Sequence, residues 1–249
     1  MKAMILAAGL GSRLRPLTDN MPKALVEIDG EPMLKRVIEK LINQGFKKIV
    51  VNAHHFAGQI KKYLSDNIFD AEIFISDESE ELLDTGGGIV KAFPMLYNID
   101  DDPVLIHNVD ILSNADLKKL MIESGGNTLL MVSKRDSSRK LIFDRDMRLK
   151  GWHDLTRDLF KPADLEISPE DEEYAFSGIY VLSKESVLEM RELMEGECKY
   201  SVMDYFLHPE RKVPIYGRNV ENLKLLDIGK PATLSQASIY LKEIENSLV

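Results

Sequence analysis

The chain has 249 residues, 44% hydrophobic and 29% charged, an ordinary globular composition that excludes wholesale disorder and suffices for one large domain or two small ones. Its 32 Lys and Arg against 41 Asp and Glu leave a formal charge of −9, which argues against a general nucleic-acid-binding surface, and the single Cys198 excludes an intrachain disulfide scaffold. The longest early apolar run, residues 3–10, is far below the ~20 residues of a membrane span and leads directly into Gly11, Arg13 and Arg15. No signal peptide, transmembrane helix or membrane partner is expected, and the expected location is cytoplasmic.

Strand-like apolar runs at 2–7, 48–53, 71–76, 104–108 and 127–133 alternate with helical patterns at 32–44, 56–65, 86–96 and 114–124, the order of βαβ units on a mainly parallel sheet. Between 32 and 44, Met33, Leu34, Val37, Ile38, Leu41 and Ile42 share one stripe, and Gly45 stands where a helix-ending glycine belongs. Asp100, Asp101 and Asp102 read as a loop. After residue 134 the pattern changes. Residues 140–151 read as a polar hairpin, and 153–174 are acidic and broken by Pro162 and Pro169, so 134–175 is expected to be an insertion over the sheet. A strand at 175–182, a helix at 184–195 and short strands near 212–216 and 223–228 follow. Residues 231–249 read as one amphipathic helix opening on Pro231. The expectation is one α/β domain over 1–249, a three-layer Rossmann-like fold with a mostly parallel sheet and an inserted β-rich region.

The most informative segment is Leu6-Ala7-Ala8-Gly9-Leu10-Gly11-Ser12-Arg13-Leu14-Arg15-Pro16-Leu17-Thr18, followed by Pro22-Lys23. A glycine-rich turn after a buried strand brings backbone N–H groups close to an anion. Lys2, Arg13, Arg15 and Lys23 against Asp19 alone give residues 1–25 a local charge of +3, the pattern of a phosphate site. It is not a P-loop, because Arg15 stands six residues after Gly9 where that motif needs a Gly-Lys pair. Nor is it a dinucleotide fingerprint: Leu14 replaces the third glycine, and Asp29-Gly30 reads as a turn, which also disfavours an NAD-dependent oxidoreductase. The bland alternative is a tight strand-to-helix turn with solvated arginines.

Residues Gly9 to Thr18 with Pro22-Lys23 closely resemble the signature of the sugar-1-phosphate nucleotidylyltransferases. The similarity continues in family order through Asp84-Thr-Gly-Gly-Gly-Ile89, Asn108-Val-Asp110, Phe176-Ser-Gly-Ile-Tyr180 and Asp227-Ile-Gly229. Within the family the chain looks most like bacterial uridylyltransferases acting on N-acetylmuramate 1-phosphate. The resemblance implies a nucleotide-diphospho-sugar transferase fold and an Mg²⁺-dependent transfer from an NTP to a sugar 1-phosphate, with pyrophosphate released. UTP with N-acetylmuramate 1-phosphate is the first choice, and the product would be a cell-wall or polysaccharide precursor. GTP or CTP with mannose or heptose 1-phosphate is the alternative, as is an inactive nucleotide-sugar-binding regulatory module. The partners expected are the two substrates, with the chain a monomer or homodimer.

Carried over from the motif, Arg13 faces the β/γ-phosphates and Lys23 the α-phosphate or sugar phosphate. Asp110, at a strand's carboxyl end, is catalytic and a metal ligand, with Asp227 its partner. Leu6, Ala7, Ala8, Gly9, Gly11, Thr85, Gly86 and Gly87 are implied to bind nucleotide, the last three as a flexible approach ahead of a helix. Asn108 and Gly178 are implied to meet the sugar. Lys23 is read as a polar-loop residue whose loss spares folding. Three positions depart from the pattern: Arg15 sits where the family varies, Val109 replaces a glycine before the metal aspartate and would narrow the nucleotide's room, and Ala24 replaces a proline. Lys161-Pro162 resembles a sugar-phosphate-contacting element without its surroundings and is left out. His54, His55, His107, His208 and Cys198 have structural roles as their default.

Overall fold

The computed structural model describes residues 1–97 and 102–245; Asp100 and Asp101 of the expected loop lie outside the described residues. The chain runs through β1 (Lys2–Leu6), 3-10 turns at Ser12–Leu14 and Lys23–Leu25, β2 (Glu27–Ile28), β3 (Glu31–Pro32), α1 (Met33–Asn43), β4 (Lys48–Ala53), α2 (Ala57–Asp66), β5 (Glu72–Asp77) and α3 (Asp84–Leu96). It continues through β6 (Val104–Asn108), β7 (Ile111–Ser113), α4 (Leu117–Glu123), β8 (Thr128–Ser133), β9 (Arg139–Phe143), β10 (Leu149–Asp154), β11 (Leu159–Lys161) and β12 (Glu172–Leu182). The last elements are α5 (Lys184–Leu193), α6 (Val202–Phe206), β13 (Ile215–Asn219), β14 (Leu225–Asp227), α7 (Pro231–Leu234) and α8 (Ala237–Glu245).

The main sheet has the order β5-β4-β1-β6-β12-β8-β13, with β12 antiparallel and the other six strands running one way. It is the mostly parallel α/β sheet expected. Successive side chains on a strand face opposite sides. Ala3, Ile5, Ile49, Val51, Leu105, Ile179 and Val181 therefore enter one core, and Met4, Val50, Val104, Ile106, Tyr180 and Leu182 the other. The α1 stripe Met33, Leu34, Val37, Ile38 and Leu41 closes the first face; α3, α5 and α6 close the second. Each fully buried aliphatic contributes about 1.5–3 kcal/mol relative to exposure, so these two layers hold the sheet.

The meander β9-β10-β11 pairs with the first residues of β12, Glu172 to Tyr174 against β9. The register of β12 against β8 shifts between Phe176 and Tyr180, and Gly178 in that interval has φ +75°, a left-handed conformation open to glycine. The bulge lets one long strand serve both the meander and the main sheet. The C-terminal helix is not continuous. Ser235 Oγ donates to the Ala232 carbonyl and Ser235 N to the Pro231 carbonyl, the chain breaks, and α8 starts with Ala237 buried in the α1-side core. Residues 246–249 lie outside the described residues. No described helix is long and apolar enough to cross a membrane.

Beneath the sheet, Lys40 donates from Nζ to the Ser113 carbonyl and Oγ, and burial holds its pKa down to about 8. Fully buried His107 donates from Nδ1 to the Asn108 carbonyl, leaving Nε2 without a partner among the described residues. Burial and the nearby Lys40 charge push the His107 pKa down to about 3. Unfolding restores the ordinary value near 6.5, so between pH ~6.5 and 3 the unfolded chain takes up a proton that the folded chain refuses, and stability falls as pH falls. Urea unfolding of wild type and His107→Leu at pH 6.5 and 5 tests this. The wild type should lose on the order of 1 to 2 kcal/mol more over that interval, and equal losses would remove His107 as the cause.

Candidate active site

In an open parallel sheet ligands gather at the carboxyl ends of strands. Here the ends of β1, β4 and β6 open on a cleft of about 260 Å³. Leu6, Ala7, Ala8 and Gly9 line one side; Asn108, Val109, Asp110 and Lys23 line another, and Asn52, Leu82, Asp84 and Thr85 complete it. Nothing lies within 4 Å of where a Gly9 Cβ would stand, whereas a Gly11 Cβ would come within 2.9 Å of Lys23 Cβ and Thr18 Cγ2. Gly11 therefore positions rather than lines. At φ +67° it turns the backbone into the Ser12–Leu14 helical turn, and Thr18 Oγ1 donates to its carbonyl over 2.9 Å.

A buried chain of hydrogen bonds ties the glycine loop to α3. Ala7 N–H donates to Asn52 Oδ1 over 2.6 Å, Asn52 Nδ2 donates to Glu78 Oε1 over 2.8 Å, and Leu83 N–H reaches Glu78 Oε2. Glu78 is fully buried, and that burial raises its carboxyl pKa. The Thr85-Gly86-Gly87-Gly88 run, expected ahead of a helix, lies inside the first turns of α3. A Cβ on Gly86 would strike the Tyr200 ring at 2.4 Å, on Gly87 the Cys198 carbonyl at 2.1 Å, and on Gly88 Glu78 Oε1 at 2.7 Å. The glycines admit neighbouring protein. The Gly86 and Gly87 amides both point to the Tyr200 carbonyl, and of the predicted run only Thr85 lines the cleft.

The charged groups converge at the other rim. Asp110 follows β6, and β7 then pairs antiparallel with β14, Asp227 opposite Ile111, with Ile228 N–H donating to the Asp110 carbonyl over 2.9 Å. Two aspartates distant in sequence thus stand on adjoining backbone segments, Asp110 lining the cleft and Asp227 beside Gly229. Lys23 Nζ donates to Asp110 Oδ2. Lys23 is 8% exposed, which corrects its reading as a solvated loop residue: its stem packs under Gly11 and its ammonium faces a carboxylate. A Cβ on buried Gly229 would lie 2.8 Å from Arg13 Nη2, from Asp227 Oδ1 and from Lys23 Nζ, so these three atoms surround one point. Gly229 N–H also donates to Asp227 Oδ1 over 2.8 Å. Arg15 is exposed and pairs with Asp19 instead.

Asn108 and Gly178, expected together on the sugar side, are neighbours: a Gly178 Cβ would come within 2.8 Å of Asn108 Nδ2. Val109 is buried in the α1-side core while also lining the cleft. Asn52, Leu82 and Arg135 are absent from the sequence reading, and Asp84 entered it only as the first residue of the Asp84–Ile89 segment. Asn52 carried the same signal as Asp110, a polar residue at the carboxyl end of an apolar strand. Leu82 and Arg135 carried none. Arg135 donates from Nη2 to the Phe176 carbonyl over 2.8 Å, lies within reach of the Asp227 charge, and has its pKa lowered by burial. Among the described residues no three or more His, Cys, Asp or Glu side chains are grouped to hold a metal.

The chain resembles known proteins in sequence and in shape. It is 36% identical over 169 residues, 65% of each chain, to an N-acetylmuramate α-1-phosphate uridylyltransferase of Caulobacter vibrioides. It is 28% identical over 255 residues, 98% of this chain and 65% of the relative, to a mannose-1-phosphate guanyltransferase of Pichia angusta. The chain thus spans just under two thirds of either relative. The crystal structure of HddC from Yersinia pseudotuberculosis complexed with GMP-PN superposes with a TM-score of 0.74 at 24% identity, covering 96% of this chain and 99% of that one, which establishes the shared fold. A family model described as nucleotidyl transferase matches residues 2–139, from β1 through the whole cleft-forming half into β9, and by that match the chain belongs to the nucleotidyl transferase family.

Proposed function

We propose that this chain transfers a nucleotidyl group from an NTP to a sugar 1-phosphate in the cytoplasm, with UTP and N-acetylmuramate 1-phosphate as substrates and a cell-wall or polysaccharide precursor as product. The observation that carries this reading is the meeting of Lys23, Arg13, Asp110 and Asp227 around Gly229, at the rim of a cleft floored by the glycine loop. In the reaction a sugar-phosphate oxygen attacks the α-phosphorus, the bond from that phosphorus to the β-phosphate's bridging oxygen breaks, and pyrophosphate leaves. No protein nucleophile is needed. Rate comes from holding two anions in line and from cations placed in advance where charge develops. Arg13 is placed for the β/γ-phosphates and Lys23 for the α-phosphate or sugar phosphate, while the open space at Gly9 admits phosphate close to backbone N–H groups.

The residues fit Mg²⁺. Asp110 and Asp227 offer hard oxygens from adjoining strand ends, and two carboxylates without a third His, Cys, Asp or Glu grouped with them among the described residues suit an ion that completes its shell with water and substrate phosphate. When bound, the ion would neutralise charge on the phosphate oxygens. Lys23 already balances Asp110, and that carboxylate would be free to hold a cation once nucleotide phosphates gave Lys23 another partner. The runner-up, GTP with mannose 1-phosphate, draws on the Pichia angusta relative's match along 98% of this chain.

Pyrophosphate release from a panel of four NTPs and several sugar 1-phosphates decides the matter. Release should be greatest with UTP and N-acetylmuramate 1-phosphate; GTP with mannose 1-phosphate would move the assignment to the runner-up, and silence with every pair, with nucleotide sugars still bound, would leave a binding module. Lys23→Met keeps the packed stem and removes the charge. We expect a stability loss of about 1 kcal/mol and a rate loss on the order of 10²-fold, checked by urea unfolding and steady-state release. Wild-type turnover in that variant would remove Lys23 from the site. For Asp110→Asn and Asp227→Asn we expect folded proteins in which UTP no longer tightens Mn²⁺ binding, read by electron paramagnetic resonance. Retention of that coupling in either variant would exclude the residue as a ligand.

A further inference from the structure

Beside the cleft lies a larger cavity, about 880 Å³, between the β9-β10-β11 meander and the α6 segment. The two adjoin where Thr85 Oγ1 of the cleft stands 3.5 Å from Ser201 Oγ of the cavity. Phe176, another lining residue, is two positions before the Gly178 that abuts Asn108. In a chain of net charge −9, this cavity gathers Arg139, Lys140, Lys150, Lys161 and Arg211 against the single carboxylate of Asp204. Asp204 is engaged, its Oδ2 accepting from Ser201 N–H in a helix capping box.

Two of the cations have carboxylate partners: Lys150 is 2.6 Å from Asp171, and Arg139 is 3.9 Å from Asp154. The other three make no ion pair among the described residues. Lys140 Nζ donates to the Arg135 carbonyl, Lys161 Nζ lies over the Trp152 ring at 5.9 Å, and Arg211 donates from Nε to the Phe206 carbonyl and from Nη1 to the Val213 carbonyl. Those carbonyls fix the Arg211 fork in place. Glu189, whose charge reaches Arg211, accepts from the Tyr205 hydroxyl and the Lys212 and Val213 amides rather than from the guanidinium. Arg211 is thus half-buried with no carboxylate in ion-pair contact among the described residues, and a fixed fork in that setting matches a ligand carboxylate.

We infer that this cavity reads a second negative charge on the acceptor, a carboxylate, so that the acceptor is an acidic sugar 1-phosphate and Arg211, Lys161 and Lys140 set that specificity. The inference rests on the nucleotidyl-transfer reading, in which Arg13 and Lys23 serve the phosphates at the cleft while Arg211, Lys161 and Lys140 line a separate cavity. Trp152 and Phe176 supply aromatic surface for the sugar ring.

Trp152 is the chain's one tryptophan, so its fluorescence reports on this cavity. The whole chain is titrated with N-acetylmuramate 1-phosphate and with N-acetylglucosamine 1-phosphate, the same sugar lacking the lactyl carboxylate, and with inorganic pyrophosphate. The acidic sugar should bind at least about tenfold tighter than the neutral one, and R211M and K161M should each erase most of that ratio while leaving the neutral sugar within about twofold. Should R211M fail to fold for want of its ties to Phe206 and Val213, K161M at its exposed position carries the comparison. Equal affinities of wild type for the two sugars, or variants that weaken both alike, would overturn the inference. So would pyrophosphate quenching that depends on Lys161 and Arg211, which would assign the cations to the nucleotide. An acid preference without pyrophosphate release from any substrate pair would sink the transfer reading instead, and release with no acid preference would do the reverse.

Discussion

Gly229 has no side chain, and Arg13 Nη2, Lys23 Nζ and Asp227 Oδ1 occupy the space around its α-carbon. Charges this close and partly shielded interact strongly, so the cluster is tolerable only because the two signs are balanced. Lys23 answers Asp110, and Arg13 stands beside Asp227. The surrounding structure follows from that need. Gly11 turns the arginine-bearing segment over Lys23, the β7–β14 pair brings Asp227 alongside Asp110, and the Ala7–Asn52–Glu78 chain anchors the glycine loop to the sheet's next strand and to α3. A substrate carrying several phosphates would meet a lysine already paired with Asp110, so Lys23 would exchange partners rather than present a bare charge.

What the sequence revealed depended on how local the cause was. The layered α/β fold was legible because strand and helix periods are written into runs of five to thirteen residues, and the loop after β1 because its glycines, arginines and lysine lie within one short stretch. Asp110 and Asp227 were legible as strand ends, but their meeting is a property of the β7–β14 pairing, which three-residue strands barely signal. The Thr85–Gly88 run shows the opposite limit. A glycine announces that something comes close without saying what, and here the near neighbours are Tyr200, Cys198 and Glu78, the first two more than a hundred positions away. Gly9 and Gly87 look alike in sequence; one faces open space and the other a carbonyl.

Lys23 and the C-terminal segment failed for a related reason. A lysine between turn signals reads as solvated, since only the fold supplies the carboxylate and glycine that let it be buried. A stripe from 231 onward reads as one helix, since apolar spacing records which residues are buried but not the side-chain hydrogen bond from Ser235 that competes with the helical ladder.

The contrast between the two cavities carries the argument furthest. In the cleft Lys23 meets the chain's own Asp110, which suits a site that must also stand folded without substrate. In the neighbouring cavity Arg211 is held by carbonyls, and the acids that could answer it are bound to amides and hydroxyls. A half-buried guanidinium held by carbonyls with no carboxylate in contact is poorly explained by folding and well explained by a ligand that pairs with it. By this logic the nucleotide half of the molecule is general to its family's chemistry, since phosphates are common to every NTP. On the proposed reading, discrimination among acceptors would fall to the meander that β12 reaches through the bulge at Gly178, and that bulge is what couples the two: the strand that abuts Asn108 at the cleft also carries the β9 pairing that forms the cavity wall.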